Sequence, residues 1–195
     1  IIRGAGTDKT FISGGRTIEV QPKVLEDKTV MLLTNEDFGE NRIPQLFVNG
    51  SRKTLARSPN ENVYFNPVEY GWKANPLNTK SGVVDFTLSD EASDVLNAVR
   101  DPSMVIVSFL HEWCETRRYI SIYDKNNRLV RIGDPILRTK QYFTRKGAKQ
   151  YFFENDVSFI DESGEYCYST EKKCFYYAPE DGEDMNSATD RKSVV

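Results

Sequence analysis

Short apolar runs separated by turn-forming residues recur along most of this chain, a spacing that predicts many short strands. The strands expected are Thr29–Leu33, Gln45–Val48, Thr54–Ala56, Val83–Thr87 and Met104–Leu110 in the first half. Arg118–Tyr123, Arg128–Ile132, Gln150–Phe153, Glu165–Tyr168 and Cys174–Ala178 complete the set. Asn49-Gly50 stands between two of these runs and is the dipeptide that most readily supplies a reversal with positive φ. Pairing Leu46 with Leu55 gathers apolar side chains on one face and implies a four-residue connection, Asn49–Arg52. Pro59-Asn60 ends the second strand, because proline has no N–H for a ladder. Tyr123–Arg128 reads as the turn of a second hairpin.

Helical signals are few. Ser89 is a cap for a helix over Asp90–Arg100, with Asp90 and Glu91 at its positive end and Pro102 as its stop. Glu154–Ile160 has the pattern of a turn or two. Tyr64–Thr79 carries two prolines and many turn formers, so a long exposed loop is expected there.

The ends differ from the middle. Ile1–Val20 sets Gly4, Gly6, Gly14 and Gly15 between short apolar pieces, as in the corners of a parallel β-helix coil. One such coil cannot bury both its faces alone. Pro179–Asp190 is acidic and turn-rich, as in an exit linker. The fold class expected is all-β: an antiparallel sandwich or barrel-like domain over 21–178, a β-helix-type coil at 1–20, a linker at 179–195, and one or two short helices.

Composition adds bounds. With 195 residues, 38% hydrophobic and 12% aromatic, the chain can build a real core. Its net charge of −3, with both signs mixed, gives no field favouring nucleic acid or an anionic membrane. No apolar run approaches the ~20 residues of a membrane span. The chain opens on Ile1 without a signal-like segment, as a trimmed, mature or excised piece does. Of the three cysteines, Cys167 and Cys174 flank a turn. The register that aligns Tyr168 with Phe175 leaves them diagonal, so free thiols are expected. Cys114 has no evident partner.

Candidate chemistry is thin. Glycoside hydrolysis needs two carboxylates about 5–9.5 Å apart across the scissile bond. Glu112 and Glu115 beside Trp113 have opposite strand parity, which weakens them as a pair. Asp161, Glu162 and Glu165 are a second group, and among 29 acidic residues solvated charges account for both sets. His111, the one histidine, has neither a zinc-binding pattern nor a nucleophile elbow beside it, and a structural or exposed role is favoured. The glycines of Arg3–Thr7 lack a helix to offer a phosphate, and Asp181–Asp184 lacks calcium-loop spacing. Neither a metal nor a cofactor is expected. Arg138, Lys140, Arg145, Lys146 and Lys149 interleave with Tyr142 and Phe143, which a solvated loop explains without nucleic acid. Carbohydrate binding is the one functional signal retained. Tyr64, Tyr70 and Trp72, with Lys73 and Asn75, combine ring faces for pyranose stacking with polar groups for hydroxyls. The plainer alternative is that Trp72 plugs its loop onto the sandwich. Trp113 is read as core, with Arg117 paired to a nearby carboxylate.

The segment QLFVNGSRKTLARSPN at Gln45–Asn60 resembles the "LFVNGxRxxLARxPN" stretch of the insertion domain of right-handed parallel β-helix glycoside hydrolases of the family-141 type. Phe11–Ile18 resembles that family's "ISGGxxI". Phe109–Arg117 is similar to its tryptophan strand, with Thr116 in place of serine. Tyr151–Tyr177 is similar to "YxxEN…EPGEWYxDRxxGxLYYxP", with Tyr166 for tryptophan and cysteines at 167 and 174. Gly182–Met185 matches "GEDM". The matches run from about Ile12 to Met185.

The resemblance implies a β domain inserted in an extracellular or periplasmic, bacterial carbohydrate-active enzyme whose catalytic carboxylates lie on coils outside this chain, so no catalytic residue is carried over. The expected function is a non-catalytic accessory domain bracing the β-helix or shaping the substrate groove. The partners implied are the rest of the parent chain and a poly- or oligosaccharide. The alternatives are an autonomous carbohydrate-binding module and a self-contained glycoside hydrolase.

Overall fold

The structure, a computed structural model, describes residues 18–25, 29–34, 38, 44–75, 78–112, 114–137 and 150–185. The expected β-helix coil at 1–20 lies almost wholly outside these residues, as do Trp113 and the basic stretch 138–149. The described chain is all-β with antiparallel sheets, as the apolar spacing implied. It forms two compact units: Ile1–Leu55 with Glu162–Val195, and Ala56–Asp161.

The first unit holds a sheet of β1 (Gln21–Val24), β2 (Val30–Leu33), β5 (Thr54–Leu55), β13 (Glu165–Ser169) and β14 (Cys174–Tyr177), in the order β1-β2-β14-β13-β5. Only the β13–β5 pair is parallel. Alternation decides its core face. Val30, Leu32, Tyr166, Tyr168, Phe175 and Tyr177 point one way and pack with Leu46 and Val48. The buried Tyr166 hydroxyl donates to the Pro44 carbonyl at 3.0 Å. Tyr168 pairs with Phe175, so Cys167 and Cys174 are diagonal, and both are free thiols.

The Asn49-Gly50 hairpin departs from its expected register. β3 (Phe47–Val48) and β4 (Ser51–Arg52) pair Phe47 with Arg52 and Val48 with Ser51, so the connection has two residues, not four. Asn49 and Gly50 have φ of 51° and 82°, the pair of positive values that a tight two-residue reversal requires. The Lys53 N–H then donates to the Leu46 carbonyl at 2.9 Å. Leu46 therefore lies opposite a buried lysine rather than an apolar Leu55.

The second unit is a seven-stranded antiparallel sheet, β6-β12-β9-β10-β11-β8-β7. Its strands are β6 (Arg57–Ser58), β7 (Glu69–Asn75), β8 (Asn78–Thr87), β9 (Ile106–Leu110), β10 (Glu115–Asp124), β11 (Leu129–Leu137) and β12 (Tyr151–Glu154). The expected loop at 64–79 is corrected by β7. The strand begins after Pro67 and runs to Asn75, and along it Tyr70 and Trp72 alternate with Gly71 and Lys73.

Helix α1 (Asp90–Ala98) forms where expected, with Ser89 Oγ accepting from the Ala92 N–H at 3.3 Å. Its Ala92 and Leu96 join an aromatic core in which Phe86 meets Phe109 edge-on at 4.9 Å and Tyr151 at 5.1 Å. Burying each such ring contributes about 1.5–3 kcal/mol. The helical piece expected at Glu154–Ile160 is a single 3-10 turn, Val157–Phe159, capped by Asp156. Met104, expected in a strand, ends another such turn, Pro102–Met104. The Lys125–Arg128 turn joins β10 to β11 as expected, with Asp124 accepting from the Asn126 and Asn127 N–H groups.

Candidate functional site

One polar cluster of the second unit lies on the face of β9, β10 and β12 opposite the aromatic core. Register creates it: Ser108 pairs with Arg117 on one side and Phe152 on the other, while Glu154 pairs with Ile106 and Arg57. Residues two apart share a face, so Glu115, Arg117, Ser108 and Glu154 converge. Arg117 Nε and Nη2 reach Glu154 Oε2 at 3.0 and 2.9 Å, and Nε also lies 3.2 Å from Glu115 Oε1. The Ser108 hydroxyl donates to the same Glu154 oxygen. Glu154 is 7% exposed. Burial pushes its carboxyl above the usual range, against the opposing pull of Arg117 and Ser108.

A raised carboxyl pKa suits a general acid. The geometry here is different, because one guanidinium is bonded to both carboxylates. A hydrolytic pair has to face a sugar from opposite sides, with room for the bond between them. This cluster is an ion-pair network, and the expectation that Arg117 pairs with a nearby carboxylate holds. On the same face, Tyr119 has a buried hydroxyl without a hydrogen-bond partner among the described residues, and burial raises its pKa.

A second network occupies the corresponding face of β7, β8 and β11. Asp85 accepts from Arg131 Nε and Nη2 at 2.6 and 2.9 Å and from Lys73 Nζ at 2.5 Å. The Arg131 bonds hold its carboxyl below the usual range, and Lys73 adds to them.

The five carbohydrate-binding candidates fall in different places. Tyr70 and Trp72 share one face of β7, half-buried against the aromatic core. Lys73 points to the other face, toward Asp85. Tyr64 tilts against Phe152 at 6.1 Å, with the Arg57 guanidinium over both rings at 5.3 and 3.6 Å. Arg57 is itself held by the Pro59 and Val63 carbonyls. Asn75 ends β7 opposite Asn78.

Of the other candidates, His111 Nε2 lies 2.9 Å from Thr116 Oγ1, and the His111 N–H donates to the Cys114 carbonyl, closing the β9–β10 turn. Glu112 is exposed, Asp161 accepts from Asn60 at 3.1 Å, and Glu165 accepts from the Glu162 N–H at 3.2 Å. Among the described residues no group of three or more His, Cys, Asp or Glu could hold a metal ion, and no helix is long and apolar enough to cross a membrane. Sequence reasoning missed Glu154, Ser108 and Asp85 as cluster members. The available signal was a polar residue at a fixed parity inside otherwise apolar strands, as Ser108 is within IVSFL.

No family model and no curated protein matches this sequence. A solved chain titled "Glycoside hydrolase" is similar in structure, with a TM-score of 0.63 at 16% identity. The likeness covers 92% of this chain and 31% of that one. At that identity it is a likeness of fold: this chain has the architecture of under a third of a larger chain that bears the glycoside hydrolase title.

Proposed function

We propose that this chain is a non-catalytic accessory β region of a carbohydrate-active, glycoside hydrolase-like enzyme. In this reading it braces the remainder of the enzyme or shapes one side of its substrate groove, outside the cytoplasm. The observation that carries it is the fold likeness, in which nearly all of this chain matches a minor part of a longer glycoside hydrolase. The site chemistry supports it: the buried carboxylates Asp85 and Glu154 are each closed by arginine. The test is turnover of a panel of chromogenic glycosides by the full chain. Absence of turnover is expected; turnover abolished by Glu154→Gln or Glu115→Gln would overturn the reading in favour of a self-contained hydrolase.

A second reading, an autonomous carbohydrate-binding module, is favoured by Tyr70 and Trp72, which lie side by side on β7 and are only partly buried. Tyr64, Lys73 and Asn75 complete that proposed set. Calorimetric titration with a glycan panel separates the two readings. Binding lost in Trp72→Ala, in a variant that still folds, supports the module, and no binding to any glycan removes it.

A further inference from the structure

Lys53 is the most deeply buried cation among the described residues, its side chain only 1% exposed. Its ammonium lies 2.8 Å from Glu180 Oε2 and 2.7 Å from Glu183 Oε1, and 5.7 Å from the centre of the Tyr177 ring. Glu183 uses its other oxygen to accept from the Tyr177 hydroxyl and from the Glu180 N–H. The two glutamates are brought together by a turn, with the Glu183 N–H donating to the Glu180 carbonyl and Gly182 at φ +83°. Gly164 completes the node, because a Cβ there would stand 2.7 Å from Glu180 Oε1.

Burial by itself would lower the Lys53 pKa, but Glu180 and Glu183 outweigh it and raise it. Glu183 is likewise held below the usual carboxylate range, chiefly by Lys53, against the effect of burial. The charges therefore persist across neutral pH.

The position of this node in the chain gives it a role. Lys53 is two residues before the chain leaves the first unit at Leu55, and Gly164 is two residues after it returns at Glu162. Thr54 donates to the Gly164 carbonyl at 3.1 Å, and Gly164 donates to the Ala178 carbonyl at 2.7 Å. β14 ends at Tyr177, and residues 179–185 follow it. Departure, return and the segment that follows β14 thus meet around one ammonium group. We infer that Lys53 is an ionic latch that straps residues 179–185 down on the first unit, beside the strands at which the chain departs for the second unit and returns from it. Lys53 is a positioning residue: it holds residues 179–185 through Glu180 and Glu183.

The test is hydrogen exchange of the full chain, followed peptide by peptide. In Lys53→Met, amides of 179–185 are expected to exchange at least tenfold faster, while peptides of β9, β10 and β12 keep their protection. Glu183→Gln, which keeps the shape and the Tyr177 contact but removes the charge, is expected to act in the same direction and covers the case in which Lys53→Met does not fold. Unchanged protection of 179–185 in Glu183→Gln would overturn the latch. So would a loss of protection spread evenly over both units, which indicates general destabilisation.

Discussion

Trp72 occupies the space that a side chain at Gly82 would need: a Cβ there would stand 2.8 Å from the indole Cε2 and Cζ2 atoms, and nearer still to the Lys73 carbonyl. Gly82 pairs with Ala74 across β7 and β8, so the glycine lets the edge strand lie close under its own tryptophan. Because the backbone carbonyl cannot swing aside as a side chain can, Gly82→Ala is expected to destabilise the second unit by about 2 kcal/mol or more. Urea titration followed by tryptophan fluorescence checks this. An unchanged midpoint would show that β7 shifts freely.

The same strand shows where the sequence was legible and where it was not. Helix α1 could be read because Ser89, Asp90, Glu91 and Pro102 each act locally, over a turn or less. β7 was hidden because Gly71 and Asn75 are turn formers in a segment with two prolines, and only the partner β8 makes it a strand. The Asn49-Gly50 reversal was visible, yet its register was not: apolar matching favoured Leu55, whereas Lys53 is stabilised by glutamates about 130 positions away. The polar networks failed to show for the same reason. Glu154 and Ser108 are 46 residues apart and meet only through β12–β9 pairing.

Tyr151 carries a hydroxyl that is buried and without a hydrogen-bond partner among the described residues, within a cluster formed by Phe65, Phe86, Phe109 and Phe153. Burial raises its pKa strongly, so the group stays neutral. An unsatisfied buried polar group costs about 1–3 kcal/mol, while the ring packing is unchanged by loss of the oxygen. Tyr151→Phe is therefore expected to stabilise the second unit by about 1 kcal/mol in denaturant titration. A destabilised variant would mean that the hydroxyl is solvated in solution.

Asp85 has its pKa lowered by Arg131 and Lys73. A carboxylate bound more tightly in the folded state contributes stability above its unfolded pKa of about 4, and loses it as pH falls through the lower folded value. Asp85→Asn is expected to cost about 1–3 kcal/mol at pH 7, with the difference from the parent shrinking below about pH 4. Denaturation midpoints between pH 3 and 7 measure it. A difference that does not shrink in acid would assign the loss to packing rather than charge.

Glu154 has the opposite sign. Its pKa is raised, so the folded state holds a proton that the unfolded chain releases at about pH 4.3. Its contribution is fully present below that value and is lost as pH rises through the folded pKa. Near neutrality the buried charge is thus a net burden, although Arg117 and Ser108 reduce it. Glu154→Gln removes the charge and keeps an acceptor for both neighbours. It strands no cation, because Arg117 has a half-exposed side chain and retains Glu115. The variant is expected to lie within about 1 kcal/mol of the parent at pH 7, or to exceed it, and to lack the parent's decline as pH rises above about 4. Parallel urea titrations of the two proteins across that range measure both quantities. A loss above about 2 kcal/mol at pH 7, with the parent's pH slope retained, would mean that the Glu154–Arg117 bond outweighs the cost of burying its charge.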